Sequence, residues 1–131
     1  MIQRLWPFGN LQMFGYDVIV VDPPWDFENY SDAGTKKGAD PHYDVMVLAD
    51  IKALPVGDLA RGSETIMFLW STAPMLPQAL DVLKAWGAKY LSQIVWRKVT
   101  ATGKVRVGTG YRVRTFSRAC IARWLRRSAA A

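Results

Sequence analysis

The chain has 131 residues, half of them apolar and 21% charged, with a formal net charge of +6 at neutral pH, which fits a single domain with a modest core. No apolar run approaches the ~18 residues of a membrane span, and the opening MIQRLWPFGN lacks a secretory apolar region. A single Cys120 and a single His42 leave no disulfide pair and no cluster of zinc ligands, so no metal is expected and a reducing, cytoplasmic setting is.

In chain order, residues 1–14 carry apolar side chains without a period and read as a loop that packs Trp6 and Phe8. Residues 16–21 form the first predicted strand. The run VIVV does not alternate, which suits an inner strand buried on both faces. Pro23 and Pro24 stop it, since neither can donate a ladder hydrogen bond. Asp22, a rigid turn and Trp25 therefore stand at the carboxyl end of a strand, where open α/β sheets bind ligands. Residues 26–41 are polar and glycine-bearing, either a functional loop closing over that site or a tolerated surface insertion.

Residues 47–59 read as a short helix, capped by Asp50 and ended at Pro55, with Leu54 and Leu59 toward the core. A second buried strand is predicted at residues 64–70, with Ser71 and Thr72 at its carboxyl end. Leu76, Ala79, Leu80, Leu83 and Trp86 fall at helical spacing over residues 75–86, and Gly87 suits the position just past the helix. Trp86 reads as core. The third strand, residues 90–98, ends on Lys98. Strand, helix and strand in this order predict a parallel βαβ unit. Residues 100–110 are basic and hairpin-like, placing Lys104 and Arg106 where they could track a nucleic-acid backbone. The GxG at 108–110 lacks the strand–turn–helix context of a dinucleotide loop.

Charge is segregated along the chain. Every acid lies at or before Asp81, and every later charge is basic. A basic segment suits a phosphate backbone, although it equally describes a solvated surface.

The chemistry that Asp22-Pro23-Pro24-Trp25 suits is activation of an aromatic amine. The lone pair of such an amine is delocalised into its ring, so a site must accept its N–H bonds and hold the base flat. The Asp22 carboxylate and the Pro23 C=O offer acceptors, Pro24 stiffens the turn, and Trp25 offers a stacking surface worth about 1–3 kcal/mol per base. The competing reading is a strand-terminating turn with a packed Trp.

These residues carry a resemblance. With YDVIVVDPPWDFENYSDAG, then HY and ADIKALPVGDLA, MFLWSTAPMLPQALDVLKAWG, IVWRK and VGTGY, the chain resembles the DPPW-type N6-adenine methyltransferases, over roughly residues 6–115. The matching family includes the catalytic subunit that methylates adenosine in messenger RNA, and bacterial and phage members look nearest. The resemblance implies an α/β, Rossmann-like methyltransferase fold with a mostly parallel sheet, here partial because its later strands are missing. It implies S-adenosylmethionine (SAM) as methyl donor and adenine in nucleic acid as acceptor, DNA ahead of RNA. It also implies Asp22, Pro23, Pro24 and Trp25 as the catalytic motif, with Asp22 beside the cofactor. Lys98 would bind the cofactor carboxylate or a substrate phosphate, and Tyr43 would lie near the base.

Past Thr115 the resemblance stops, at FSRACIARWLRRSAAA. Residues 1–115 are thus expected to be the N-terminal part of a catalytic domain, and residues 116–131 a divergent basic tail. The tail reads as a shifted frame or truncation, or as a basic helix with Ile121, Trp124 and Leu125 on one side. Activity of so short a chain competes with two other readings: a non-catalytic nucleic-acid-binding remnant, and an interaction subunit of a full-length methyltransferase or of a homo-oligomer.

Overall fold

The computed structural model describes residues 5–26, 44–96, 99–104 and 117–124. In chain order these build β1 (Val18–Val21), α1 (Leu48–Ala53), β2 (Ile66–Thr72), α2 (Leu76–Ala85), β3 (Ala88–Trp96) and β4 (Ser117–Trp124), with 3-10 turns at Val56–Leu59 and Ala73–Met75. The strands form one sheet in the order β1-β2-β4-β3. β1 and β2 pair in parallel, and β4 runs antiparallel to both β2 and β3. β1, β2 and β3 therefore point the same way, and their carboxyl ends meet at one edge. Thr72 and Trp96 both lie opposite Ser117, so the ends of β2 and β3 are level. This is a partial Rossmann-like α/β fold in which the predicted βαβ unit, β2-α2-β3, straddles the reversed strand β4.

One face of the sheet carries the core. Ile19 of β1 and Met67 and Leu69 of β2 are buried there, with Ala122 of β4 and Ala88 of β3. Over them lie Ile51 of α1, Val56 and Leu59 of the 3-10 turn, and Ala79, Val82, Leu83 and Trp86 from α2 and its end. Trp86 fixes the two helices to each other by donating its indole N–H to the Ile51 carbonyl at 3.0 Å. Gly87 follows α2 at φ 78°, donating its N–H to the Lys84 carbonyl, as expected of a residue past a helix end. The expected helix over 47–59 is two pieces. Pro55 cannot continue α1 and the residue before it leaves the helical region (Leu54 has ψ 133°), so the chain restarts as a 3-10 turn. Val47, not Asp50, occupies the cap position, and Asp50 sits in the first turn.

Two expectations are corrected. Among the described residues β1 is an edge strand, not an inner one, and its Val18 and Val20 are 60% and 65% exposed. A Val/Ile run reports fitness for a pleated surface but not how many layers cover it. The tail is not helical over residues 117–124. It is β4, bonded on both sides within the sheet, and Ala122 is fully buried opposite Met67 and Tyr90. Pairing with two neighbours outweighs the helical spacing of Ile121, Trp124 and Leu125.

The remaining face of the sheet is open among the described residues. Val18, Val20, Ile94 and Trp96 are exposed there, and Ile66, Phe68 and Trp70 are half-buried. No helix of the described residues is long and apolar enough to cross a membrane, and no group of three or more His, Cys, Asp or Glu among them could hold a metal ion.

Candidate active site

The ends of β1 and β2 are tied together by the Asp-Pro-Pro-Trp turn. Val21 pairs with Leu69, so the chain leaves β1 beside Trp70 and Ser71. There the Trp25 indole N–H donates to the Trp70 carbonyl at 2.9 Å. The Trp25 amide donates to the Pro23 carbonyl at 2.8 Å, and the Met46 amide to the Pro24 carbonyl at 2.9 Å. The turn is thus braced to β2 on one side and to the segment before α1 on the other.

This bracing decides which of the four residues face outward. Pro23 is buried, Pro24 half-buried, and Trp25 only 3% exposed. The stacking surface expected of Trp25 is packed into the core, because its large ring fills the space between the turn and β2. The Pro23 carbonyl, expected to accept from an amine, takes the Trp25 amide instead. Asp22 is the exposed member. Partial loss of solvent pushes its carboxyl above the ordinary value.

The open aromatic surface lies elsewhere on the same edge. Trp96, at the end of β3, is 54% exposed, and its ring sits 5.2 Å from that of Trp70 at an interplanar angle of 57°. Strand alternation puts Trp70 and Trp96 on the open face, together with Val18 and Val20 of β1; one more step along β1 reaches Asp22. Sequence reading took Trp70 and Trp96 only as strand residues. The available signal was their position: Trp70 ends one predicted strand and Trp96 lies two residues before the end of another, with both carboxyl ends pointing at the ligand edge. Next to them are hydrogen-bonding atoms without protein partners. Ser71 Oγ, Thr72 Oγ1 and Gln78 Oε1 are buried and unpaired, all within the end of β2 and the start of α2.

Lys104 is exposed in a tight turn, where the Thr100 N–H donates to the Lys104 carbonyl at 2.7 Å and Gly103 adopts φ 78°. Tyr43, Lys98 and Arg106 lie outside the described residues, as do residues 27–43, where the sequence predicts most of a loop, and residues 105–116. A separate cavity of about 150 Å³, lined by Lys52, Leu54, Asp58 and Trp86 among others, sits at the carboxyl ends of α1 and α2, away from Asp22.

The MT-A70 family model matches residues 16–122, from two residues before β1 into β4. The chain belongs to the MT-A70 family. The match passes beyond Thr115, where the resemblance read from sequence stops, and takes in most of β4. Among curated relatives, the N(6)-adenosine-methyltransferase MT-A70-like protein of Drosophila melanogaster is 25% identical over 99 residues, covering 75% of this chain and 14% of that protein. The Type II methyltransferase M.MunI of a Mycoplasma species is 27% identical over 108 residues, covering 70% of this chain and 46% of that protein. A putative N(6)-adenosine-methyltransferase MT-A70-like protein of Medicago truncatula is 30% identical over 90 residues, covering 69% and 13%. The chain thus spans less than half the length of these MT-A70-like and methyltransferase relatives.

Proposed function

We propose that this chain transfers a methyl group from SAM to the N6 amine of adenine in nucleic acid, with DNA the first candidate acceptor. The observation that carries the reading is the placement of Asp22. In an MT-A70 chain, the one exposed member of the Asp-Pro-Pro-Trp turn stands at the edge where three strand ends meet, next to Trp70 on the neighbouring strand, whose ring contacts Trp96. Named relatives include both N6-adenosine methyltransferases and a type II methyltransferase.

The residues present fit a SAM-type donor in part. A carboxylate near aromatic faces suits a sulfonium cation, and the orphaned Ser71 and Thr72 hydroxyls are free to bond polar atoms of a ligand. Asp22 and Lys98 would hold the donor by family resemblance. SAM supplies an electrophilic methyl carbon when bound. Asp22 would accept N–H bonds from the adenine amine, which returns electron density to N6, and its carboxylate oxygen would take the proton that N6 sheds as the new C–N bond forms, while the electron pair of the broken S–CH3 bond stays on the donor's sulfur as a neutral thioether. The Trp70–Trp96 ring pair, with Trp70 on the strand next to Asp22, would hold the base flat by stacking, worth about 1–3 kcal/mol. Fixing the amine in line with the methyl carbon contributes orientation. A base inside a duplex must first be flipped out, at roughly a few kcal/mol. Lys104 and the basic residues after Asp81 would meet the phosphates.

The test is incubation with SAM and adenine-containing DNA and RNA oligonucleotides, followed by nucleoside mass spectrometry. N6-methyladenine made by the wild-type chain, lost in Asp22→Ala and greater on DNA, is the expected result. A second reading, binding of nucleic acid without catalysis, draws on the uniformly basic charge after Asp81. Salt-dependent oligonucleotide binding that survives Asp22→Ala, with no methylated product, would favour it.

A further inference from the structure

We propose that Trp25 is a positioning residue: its indole N–H, donated to the Trp70 carbonyl, sets the separation between the Asp22 carboxylate and the Trp70–Trp96 ring pair. The proposal rests on the reading of Asp22 and Trp96 as the groups that meet the base, and adds how they are held. Three observations converge on it. Trp25 is buried, so its ring has no open face to offer a base. Its indole N–H reaches across 45 residues of sequence to a backbone carbonyl at 2.9 Å. That carbonyl belongs to Trp70, whose own ring contacts Trp96.

The geometry makes the link short and stiff. Asp22 is three residues before Trp25, within a turn closed by the Trp25 amide on the Pro23 carbonyl. Two prolines in the turn fix two backbone angles. The indole bond then anchors the far end of that turn to the residue carrying the aromatic platform. β2 and β1 already share a register, Val21 against Leu69, but that register ends before Asp22. Beyond it the indole bond and the Met46–Pro24 bond hold the turn. Losing the indole bond strands a backbone acceptor and frees Asp22 to shift against Trp70 and Trp96. A displacement on the order of 1 Å in a reacting geometry costs roughly 100-fold in rate.

Two measurements test this. In the wild-type chain, solvent exchange of the Trp25 indole proton is followed by NMR, with N-acetyltryptophanamide in the same buffer as reference. In Trp25→Phe, which keeps an aromatic ring but removes the donor, kcat and KM are measured with an adenine oligonucleotide. The proposal expects Trp25 to exchange far more slowly than the reference indole, and adding oligonucleotide to shift the Trp70 or Trp96 ring signals but not those of Trp25. It expects kcat to fall by about 10- to 100-fold with KM nearly unchanged. Fast exchange at Trp25, direct perturbation of its indole by the oligonucleotide, or a rise in KM at constant kcat would overturn it. Those results would make Trp25 a base-contacting ring. If the wild-type chain shows no turnover, the methyl-transfer reading fails, and the exchange result alone decides whether Trp25 anchors the turn. The same measurement decides if Trp25→Phe does not fold.

Discussion

Asp22 bears opposite demands from stability and chemistry. Its carboxyl is raised by desolvation, so the folded state binds its proton more readily than the unfolded chain does. Stability from this group is therefore undiminished below the ordinary carboxyl value, about 3.9, falls as pH rises through the raised value, and stays lowered above it. Asp22→Asn removes the partly desolvated charge. The expected outcome is a higher Tm than wild type at pH 7, with the gap closing as pH drops below the ordinary carboxyl range, measured by thermal melts across pH. Methyl transfer runs the other way, since only the ionised carboxylate accepts N–H bonds. Its rate should rise with pH through the same raised range and then level off, and Asp22→Asn should be inactive throughout. The place of Asp22 at a strand's carboxyl end was legible in the sequence, because the two prolines after it stop the Val/Ile run. The fate of Trp25 was not. An indole after a turn serves equally as platform or as packing, and only the Trp70 carbonyl within reach of its N–H decides between them.

At the scale of elements, β4 contributes most that the sequence concealed. Residues 117–124 are basic and alanine-bearing, with apolar positions at helical spacing, and nothing local marks a strand. What makes them one is the backbone: β2 and β3 each present an open ladder edge, and β4 satisfies both. Ala122, fully buried against the helix-covered face, is the most sensitive point. Ala122→Asp would place a carboxylate in the core without a partner, a class of change costing several kcal/mol. The variant is expected to lose cooperative unfolding, read by circular dichroism and hydrogen exchange, whereas a conventional basic tail would tolerate it. The helices were easier to read. Of the apolar stripe, Ala79, Leu83 and Trp86 are buried as spacing put them and the glycine follows the helix, whereas Leu80 is exposed and the buried Val82 was omitted. The split at Pro55 follows from the restriction proline places on its predecessor.

For the whole molecule, the decisive feature is a two-layer arrangement with helices, among the described residues, on one face only. The described residues leave Val18, Val20, Ile94 and Trp96 exposed on the other face, and β1 and β3 stand at the sheet's outer edges. Apolar sheet faces and unpaired edges of this kind drive association. Sedimentation is expected to show the isolated chain associating as its concentration rises. The double variant Val20→Lys with Ile94→Lys should return it toward a monomer without lowering Tm, while a wild-type chain monomeric at all concentrations would contradict this. The sequence signalled the βαβ order and hence the common direction of β1, β2 and β3. It did not reveal that β1 lies at an edge, since strand order depends on where β4 inserts.

The central claim is that the edge where β1, β2 and β3 end, with Asp22 on it, is built to receive SAM beside an adenine. Calorimetric titration of the purified chain with SAM, wild type against Asp22→Ala, tests it most directly. Saturable binding near one SAM per chain, weakened at least about tenfold in the variant, which is roughly 1.4 kcal/mol, is the result predicted. A folded wild-type chain that releases no binding heat, or one that binds SAM equally well without the Asp22 carboxylate, would contradict it.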